Sequence, residues 1–363
     1  MRPVPTAEQE ELRQAVRDFC AREVSPERLL AWEQSEDGVD EQVRSATARL
    51  GWLGLGIPAS AGGSGAPLVD VAGLVSECAR GLLPRPVLGA LRGAVALADV
   101  APESAALADV ATGAKRLALA IDEEQARSAD RFSTIVSDSE GPVVRGTKAY
   151  VPDAVASPLH LVAAREADGV SLVLVGATSG AVVADPVRSF GGDRQAHVTY
   201  ECAPVLERLS PPGGGDAALA RLRRRQQALA LAEMVGGMDA VLEASVAYVK
   251  EREQFGQKIA LFQAVRHQIA DMGIRHTAAR HLAWQAITRL DAGCEQGHEL
   301  AGALAYTGRA FKELCFTAHH VHGGAGFVVE HCLRFHSERA QSLAIRYAPE
   351  APALAEIASA LLD

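Results

Sequence analysis

Between Thr6 and about Val110 the apolar residues recur at helical spacing. Leu12, Val16, Phe19 and Cys20 fall on one face, and Thr6 ahead of Glu8, Gln9 and Glu10 forms an N-cap with an acidic first turn. Gly51–Pro58 and Ala61–Gly65 interrupt that pattern and predict a loop between helices. Its glycines do not make a phosphate loop, because no strand pattern precedes them and no Lys-Ser/Thr follows. From about Leu117 to Leu209 the period shortens. Val143–Val144, Lys148–Val151, Leu159–Ala163, Val170–Val175 and His197–Tyr200 are alternating or β-branched runs separated by Gly, Asp, Ser or Pro. They predict an antiparallel β domain. Ser210–Asp216 is a Pro/Gly linker, and Asp216 is expected to cap a long helix running to about Glu251. Two further helices are expected over Leu261–Asp291 and Glu299–His320, before a short Ala-rich tail from Pro349. The pattern gives an α+β multidomain chain with boundaries at 1–112 (helical), 113–210 (β) and 211–363 (helical) and no internal repeat.

Composition narrows the function. The 363 residues are 48% apolar and 22% charged, which excludes a disordered chain, a collagen-like fibre and a small disulfide scaffold. A net charge of −9 argues against a nucleic-acid face, and 5% aromatic residues argues against base stacking. No apolar run is long enough to span a bilayer. The opening MRPVPTAEQEELRQAVRDFC is too polar for a signal peptide, so a cytoplasmic location is expected. Six scattered cysteines without CxxC spacing read as reduced thiols rather than a zinc site.

Two segments carry chemistry. The first is Tyr248–Met272, where a helix ends near Arg252, turns at Gly256 and restarts near Phe262. An Arg beside an aromatic residue and a turn glycine suits gripping a phosphate and stacking a ring, or it is an ordinary solvated helix–turn–helix. The second is His319–Phe327, where three glycines follow a helix and let backbone approach a ligand closely, or simply cap the helix. The histidines there lack an accompanying acidic pair, so no metal is expected.

The run R-x-x-F-G-x-x-I-x-x-F-Q-x-x-x-H-x-x-A-D-M, followed by H-G-G-x-G-F, resembles the acyl-CoA dehydrogenase family. The likeness extends to Leu50–Pro58, the Gly62–Gly65 turn and Gly146–Val151, and so covers nearly the whole chain. It implies a helical N-terminal domain, a β-barrel-like middle domain and a C-terminal four-helix bundle. It implies FAD as cofactor and α,β-dehydrogenation of an acyl-CoA thioester, a carboxylate taking the α-proton while the β-hydride goes to the flavin. By the same resemblance Arg252 contacts the FAD pyrophosphate, Phe255 and Gln263 lie along its adenosine half, and His320, Gly323, Gly324 and Gly326 line the dinucleotide. Tyr150 stands where the family has a flavin-side Trp. The strip is usually offered across a subunit interface, to a flavin in a neighbour's β domain, and an electron-transfer flavoprotein is the usual acceptor.

The departures matter as much. The family's usual catalytic Glu falls at Tyr347, and a phenol is a poor base at neutral pH. Glu350 lies beyond a proline. The alternative Glu position, early on the long helix, is Gln226, which cannot abstract a proton. The nearest acid on that helix is Glu233, whose apolar setting disfavours a charged carboxylate and suits it to base work, unless it simply pairs with an Arg. The family's glycine-rich flavin loop is replaced by Leu119–Ala126, with no glycine and no serine, and its Trp-Ile-Thr strand by Tyr150-Val151-Pro152. Proline has no N–H to donate. The basic run Arg221, Arg223, Arg224 and Arg225 either meets CoA phosphates or is a solvated helix face.

The resemblance therefore leads to one subunit of a heteromeric enzyme, a dimer or α2β2 tetramer with a homologous partner that completes the flavin site. Two other readings stay open: a self-sufficient homo-oligomer using Glu233 as an atypical base, and a fold relative that is a flavin monooxygenase or a non-catalytic scaffold.

Overall fold

The computed structural model describes residues 6–124, 131–138, 141–166, 169–178, 180–294 and 297–362. Met1–Pro5 of the opening segment, and Gln125 and Ala126 of the stretch matched to the flavin loop, lie outside them. Two compact units form, and they cut across the three-part division of the sequence: Met1–Ala31, Pro67–Leu83 and Gln227–Asp363 make one, Trp32–Ala66 and Pro84–Gln226 the other. The reason is that the N-terminal helices do not share a single core.

The first unit is helical. α1 (Ala7–Glu23) starts with a full capping box: Thr6 accepts from the Gln9 backbone, and the Gln9 side chain reaches back to the Thr6 N–H. Val16, Phe19 and Cys20 face inward against α4 (Leu68–Arg80). Arg17 fixes the pair by a bidentate grip on Glu77, at 2.9 and 2.8 Å. The remaining helices are the long α7 (Asp216–Glu251, entering this unit at Gln227), α8 (Gln263–Asp291), α9 (Gly297–His322), α10 (Cys332–Tyr347) and α11 (Glu350–Leu362). Ala228–Val235 of α7 is buried on every side. At Gly236 a Cβ would stand 1.9 Å from the Ser76 carbonyl oxygen, and at Gly237 2.4 Å from the Phe311 ring, so α7 touches α4 and α9 through bare backbone. Arg339 donates to the carbonyls of Leu82 and Leu83, holding the turn after α4 where Leu82 has φ +54. Asp216 does not cap α7 with its side chain: Gly215 supplies the first acceptor carbonyl, and the Asp216 carboxylate accepts from Val170 N–H instead.

The second unit carries α3 (Glu41–Arg49), α5 (Arg85–Val100), α6 (Leu107–Ala111) and seven strands, β1 (Leu117–Ala120), β2 (Ile135–Ser137), β3 (Val143–Pro152), β4 (Leu159–Glu166), β5 (Gly169–Gly176), β6 (Val182–Val187) and β7 (Gln195–Arg208). Pairings β4–β2–β3–β7–β5–β4 close on themselves, with β1 added to β4 and β6 to β7. The barrel is mixed rather than wholly antiparallel, because β1 and β2 run parallel to β4. β4 and β5 are apolar on both faces. Leu159, Leu161, Leu172 and Leu174 pack with Leu97, Leu107 and Leu117, while Val162, Val173 and Val175 fill the barrel with Val151, Val198 and Tyr200.

Candidate functional site

In the helical unit α7 stops at Glu251, and Arg252 closes the last turn onto Tyr248. A tight hairpin follows, β8 (Glu253–Gln254) against β9 (Gln257–Lys258). Phe255 and Gly256 form its two-residue tip, with φ +53 and +78. Positive φ at both positions is the type I′ geometry, which glycine adopts freely and phenylalanine only under strain. The Phe255 ring is thereby held 94% exposed, edge-on to Phe262 at 6.1 Å. Gln263 opens α8 on the surface. The restart therefore comes two residues later than the expected Leu261, because Ile259–Leu261 forms a 3-10 turn.

α9 ends beside the last turns of α7. Tyr248 stacks on His322 at 4.4 Å, and its hydroxyl donates to the His322 carbonyl at 3.2 Å, which ties the two segments together. His320 is exposed, and its Nδ1 accepts from Gln268 at 2.9 Å. His322 is buried, and its Nδ1 donates to the Ala318 carbonyl. Gly323 has φ +58, and a Cβ on Gly323 or Gly324 would meet nothing, so this backbone lies open to an approaching group. Gly326 is closed, with a Cβ position 2.9 Å from His322 Cβ. The Arg252 guanidinium is exposed and makes no ion pair or hydrogen bond among the described residues. A free, forked cation beside open glycine backbone and a projecting aromatic ring suits a pyrophosphate with an attached ring system. The pairing of Tyr248 with His322 was not legible, because a stack across 74 residues leaves no local signal.

The barrel unit holds the other expected site residues. β3 bulges between Lys148 and Val151, which puts Tyr150 at φ +52 and turns its ring outward, 4.9 Å from His197. Of the segment matched to the flavin loop, Glu123 is engaged by β3 and by the residues leading into β2. Glu123 accepts from Ser133 N–H and Oγ–H at 2.8 Å, from Thr134 N–H at 3.1 Å, and from Lys148 Nζ at 2.8 Å. Lys148 is wholly buried, its ammonium 3.6 Å from the Phe132 ring centroid. Burial pulls Lys148 down to about 8 against the opposing pull of Glu123. Burial raises the Glu123 carboxyl, but the lysine and the Ser133 donors outweigh it and hold it at about 2. The basic run is paired rather than solvated: Arg221 and Arg225 both reach Asp99 at 3.0 Å, and Arg223 reaches Asp122 at 3.3 Å.

Just beyond Pro152, Asp153 sits at φ +54 against Gly89 of α5. Burial, then the neighbouring Asp193, raises its carboxyl to about 7 against the opposing Arg116, Arg85 and Arg194. An unfolded aspartate ionises near pH 4, so between about 4 and 7 the folded chain holds the extra proton and stability falls as pH rises. Asp153→Asn removes that penalty. The melting temperature is expected to rise at about pH 8, by the equivalent of about 1–3 kcal/mol, and to change little near pH 4. Thermal melts across that range check it; a gain of equal size at both ends would contradict it.

The acid candidates are scattered. Glu233 is buried on α7, near the Cys78 thiol that it helps to raise. Gln226 is buried too, donating to the Arg92 carbonyl while Arg92 donates to the Gln226 carbonyl. Tyr347 ends α10 under Arg346 at 5.5 Å, and Glu350 is exposed and bonded to Arg309 at 3.3 Å.

Residues 213–348 match the family model for the acyl-CoA dehydrogenase C-terminal domain, and residues 6–101 match that for the N-terminal domain. The chain belongs to the acyl-CoA dehydrogenase family. Acyl-CoA dehydrogenase IpdE2 of Mycobacterium tuberculosis is 29% identical over 346 residues, covering 94% of this chain and 93% of the relative. A solved variant of the Tcur3481-Tcur3483 steroid ACAD is 28% identical with a TM-score of 0.89, covering 98% of each chain. The ChsE4-ChsE5 complex from Mycobacterium tuberculosis shares the fold, with a TM-score of 0.91 at 22% identity over 100% of this chain and 99% of that one. Acyl-CoA dehydrogenases are FAD-dependent oxidoreductases acting on a CH–CH bond. The open strip at Arg252, Phe255 and Gly323–Gly324 fits the phosphate half of such a dinucleotide. The barrel of the same chain does not fit the ring half: Glu123 is saturated by internal donors and Pro152 offers none. No described helix is long and apolar enough to cross a membrane.

Proposed function

We propose that this acyl-CoA dehydrogenase is one subunit of a heteromeric enzyme. It lends Arg252, Phe255, Gln263, His320 and the Gly323–Gly326 backbone to an FAD seated in the β domain of a homologous partner, in a dimer or α2β2 tetramer. The observation that carries this is the asymmetry within one chain: a strip with an unpaired guanidinium and open backbone, and a barrel whose corresponding loop is locked by the Glu123–Lys148 pair. The paired names of the Tcur3481-Tcur3483 relative support the reading. Bound FAD supplies the hydride acceptor for α,β-dehydrogenation of an acyl-CoA. This chain's residues then position and neutralise: Arg252 pairs with a phosphate by parallel N–H donors, and Phe255 covers a flat ring. The base comes from the partner, since Tyr347 and Gln226 cannot serve and Glu233 is buried. Electrons pass to an electron-transfer flavoprotein. Six free thiols fit a reducing cytoplasm.

The test is flavin retention. Purified alone, mixed with FAD and gel-filtered, the chain is expected to keep no flavin spectrum. The co-expressed complex is expected to keep it, and Arg252→Ala in that complex is expected to lower flavin occupancy about tenfold with assembly and melting unchanged. Flavin held by the isolated chain, or full occupancy in the Arg252→Ala complex, sinks the proposal.

A further inference from the structure

The barrel unit contains a cleft of about 530 Å³ between α3, the first half of α5 and the turn after α6. Its floor is apolar: Val39, Leu53, Val87, Ala90, Val110 and Leu117. Interiors rarely leave gaps larger than a water, and a space of this size lies in the range of small-molecule sites. The open strip at Arg252, Phe255 and Gly323–Gly324 contributes no residue to it.

Its mouth is cationic. Arg44, Arg49, Lys115 and Arg116 line it with a single acid, Glu41, on a chain whose net charge is −9. Three of the four cations have acidic neighbours. Arg44 pairs with Glu41, Lys115 with Asp109 at 2.8 Å, and Arg116 with Asp37 at 3.7 Å. These pairs are solvent-exposed on at least one side, and such pairs hold weakly and exchange readily. Arg49, at the last residue of α3, is exposed and has no ion-pair partner among the described residues. Gly113 brings the opposite wall close: its φ is +73, and a Cβ there would lie 3.0 Å from both Ala48 and Leu53.

An apolar floor beneath a cationic rim with one uncommitted guanidinium selects a particular shape of ligand. We propose that this cleft binds an amphipathic anion, an apolar body ending in a carboxylate or phosphate head that meets Arg49. The inference is independent of where the flavin sits.

The probe is 8-anilinonaphthalene-1-sulfonate, an apolar ring system bearing one anion, titrated into the full chain by fluorescence. Dodecanoate, dodecyl phosphate and uncharged dodecanol serve as competitors. One saturable component is expected in the parent. Ala90→Trp and Ser45→Phe each fill the cleft from a helix and are expected to abolish it. Arg49→Glu, on an exposed helix end, is expected to weaken it about tenfold. Dodecanoate or dodecyl phosphate is expected to displace the probe at least about tenfold better than dodecanol, and the tighter of the two names the head group. Circular dichroism confirms that each variant is folded. Absence of the saturable component in the parent, its survival in folded filling variants, an unchanged affinity in Arg49→Glu, or equal displacement by dodecanol would each overturn the proposal. The flavin test above reads a different unit, so the two can fail separately.

Discussion

Lys148→Met is expected to lower the folding stability of the barrel unit by about 3–5 kcal/mol. The loss comes from what remains rather than from what is removed. Lys148 is fully buried and Glu123 nearly so, and the substitution leaves the carboxylate with the Ser133 and Thr134 donors but no counter-charge. The ammonium also leaves the face of Phe132, a smaller term of about 1–2 kcal/mol for a desolvated contact. Chemical denaturation of the single and double variants gives the decisive comparison. Lys148→Met with Glu123→Gln is expected to recover most of the loss, because a neutral amide can keep some of the backbone donors without burying charge. A double variant as unstable as the single one would show that the lysine acts by packing alone. Glu123 also sets an acid limit. Its carboxyl is held at about 2, so its contribution is complete above the ordinary carboxylate range and is lost as pH falls through about 2.

Gly236→Ala is the second large effect. A methyl group at that position would stand 1.9 Å from the Ser76 carbonyl oxygen and 3.0 Å from Ser76 Cα, which is backbone on a neighbouring helix. A side chain could rotate aside; a helix carbonyl cannot. α7 or α4 must shift as a body, and both are buried along this stretch. Overpacking a tight interior costs about 1–3 kcal/mol, and a backbone clash belongs at or above the top of that range. Urea unfolding of Gly236→Ala against Gly273→Ala is the control pair. Gly273 lies on α8 with nothing within reach of an added Cβ, so alanine there is expected to be neutral or mildly stabilising. Equal stabilities would mean that the crossing is looser than the backbone separation implies.

Local chemistry was readable from the sequence; long-range pairing was not. The Thr6–Gln9 cap, the Arg252 helix end, the turn at Gly256 and the glycines after His322 are each written within a few residues, and each formed where expected. The five β-rich runs all lie in β3, β4, β5 and β7, whereas β1, β2 and β6 carry no such signal, because Leu117–Ala120 and Ile135–Ser137 are short and Val182–Val187 is broken by Asp185 and Pro186. Nothing near Leu117 signals that β1 will pair in parallel with β4, some forty residues on. The Arg221–Arg225 run shows the same limit. Its charges were visible, but Asp99 and Asp122 come from over a hundred residues away, and a basic stretch looks alike whether it meets solvent or a buried acid. Glu233 was legible as an acid among apolar residues. Its burial beneath α4 depends on Gly236 admitting that helix, which is a property of the packing rather than of the pattern. The Glu123–Lys148 lock was hidden for the opposite reason: each residue taken singly looks like an ordinary surface charge.

The hairpin tip carries a consequence for the lone chain. A two-residue turn with positive φ at both positions favours Asn-Gly, and the chain places Phe-Gly there at a local cost of about 1–3 kcal/mol. An asparagine there would relieve the strain in the lone chain. In the assembly proposed above, the ring would be covered and the strain offset by what covers it.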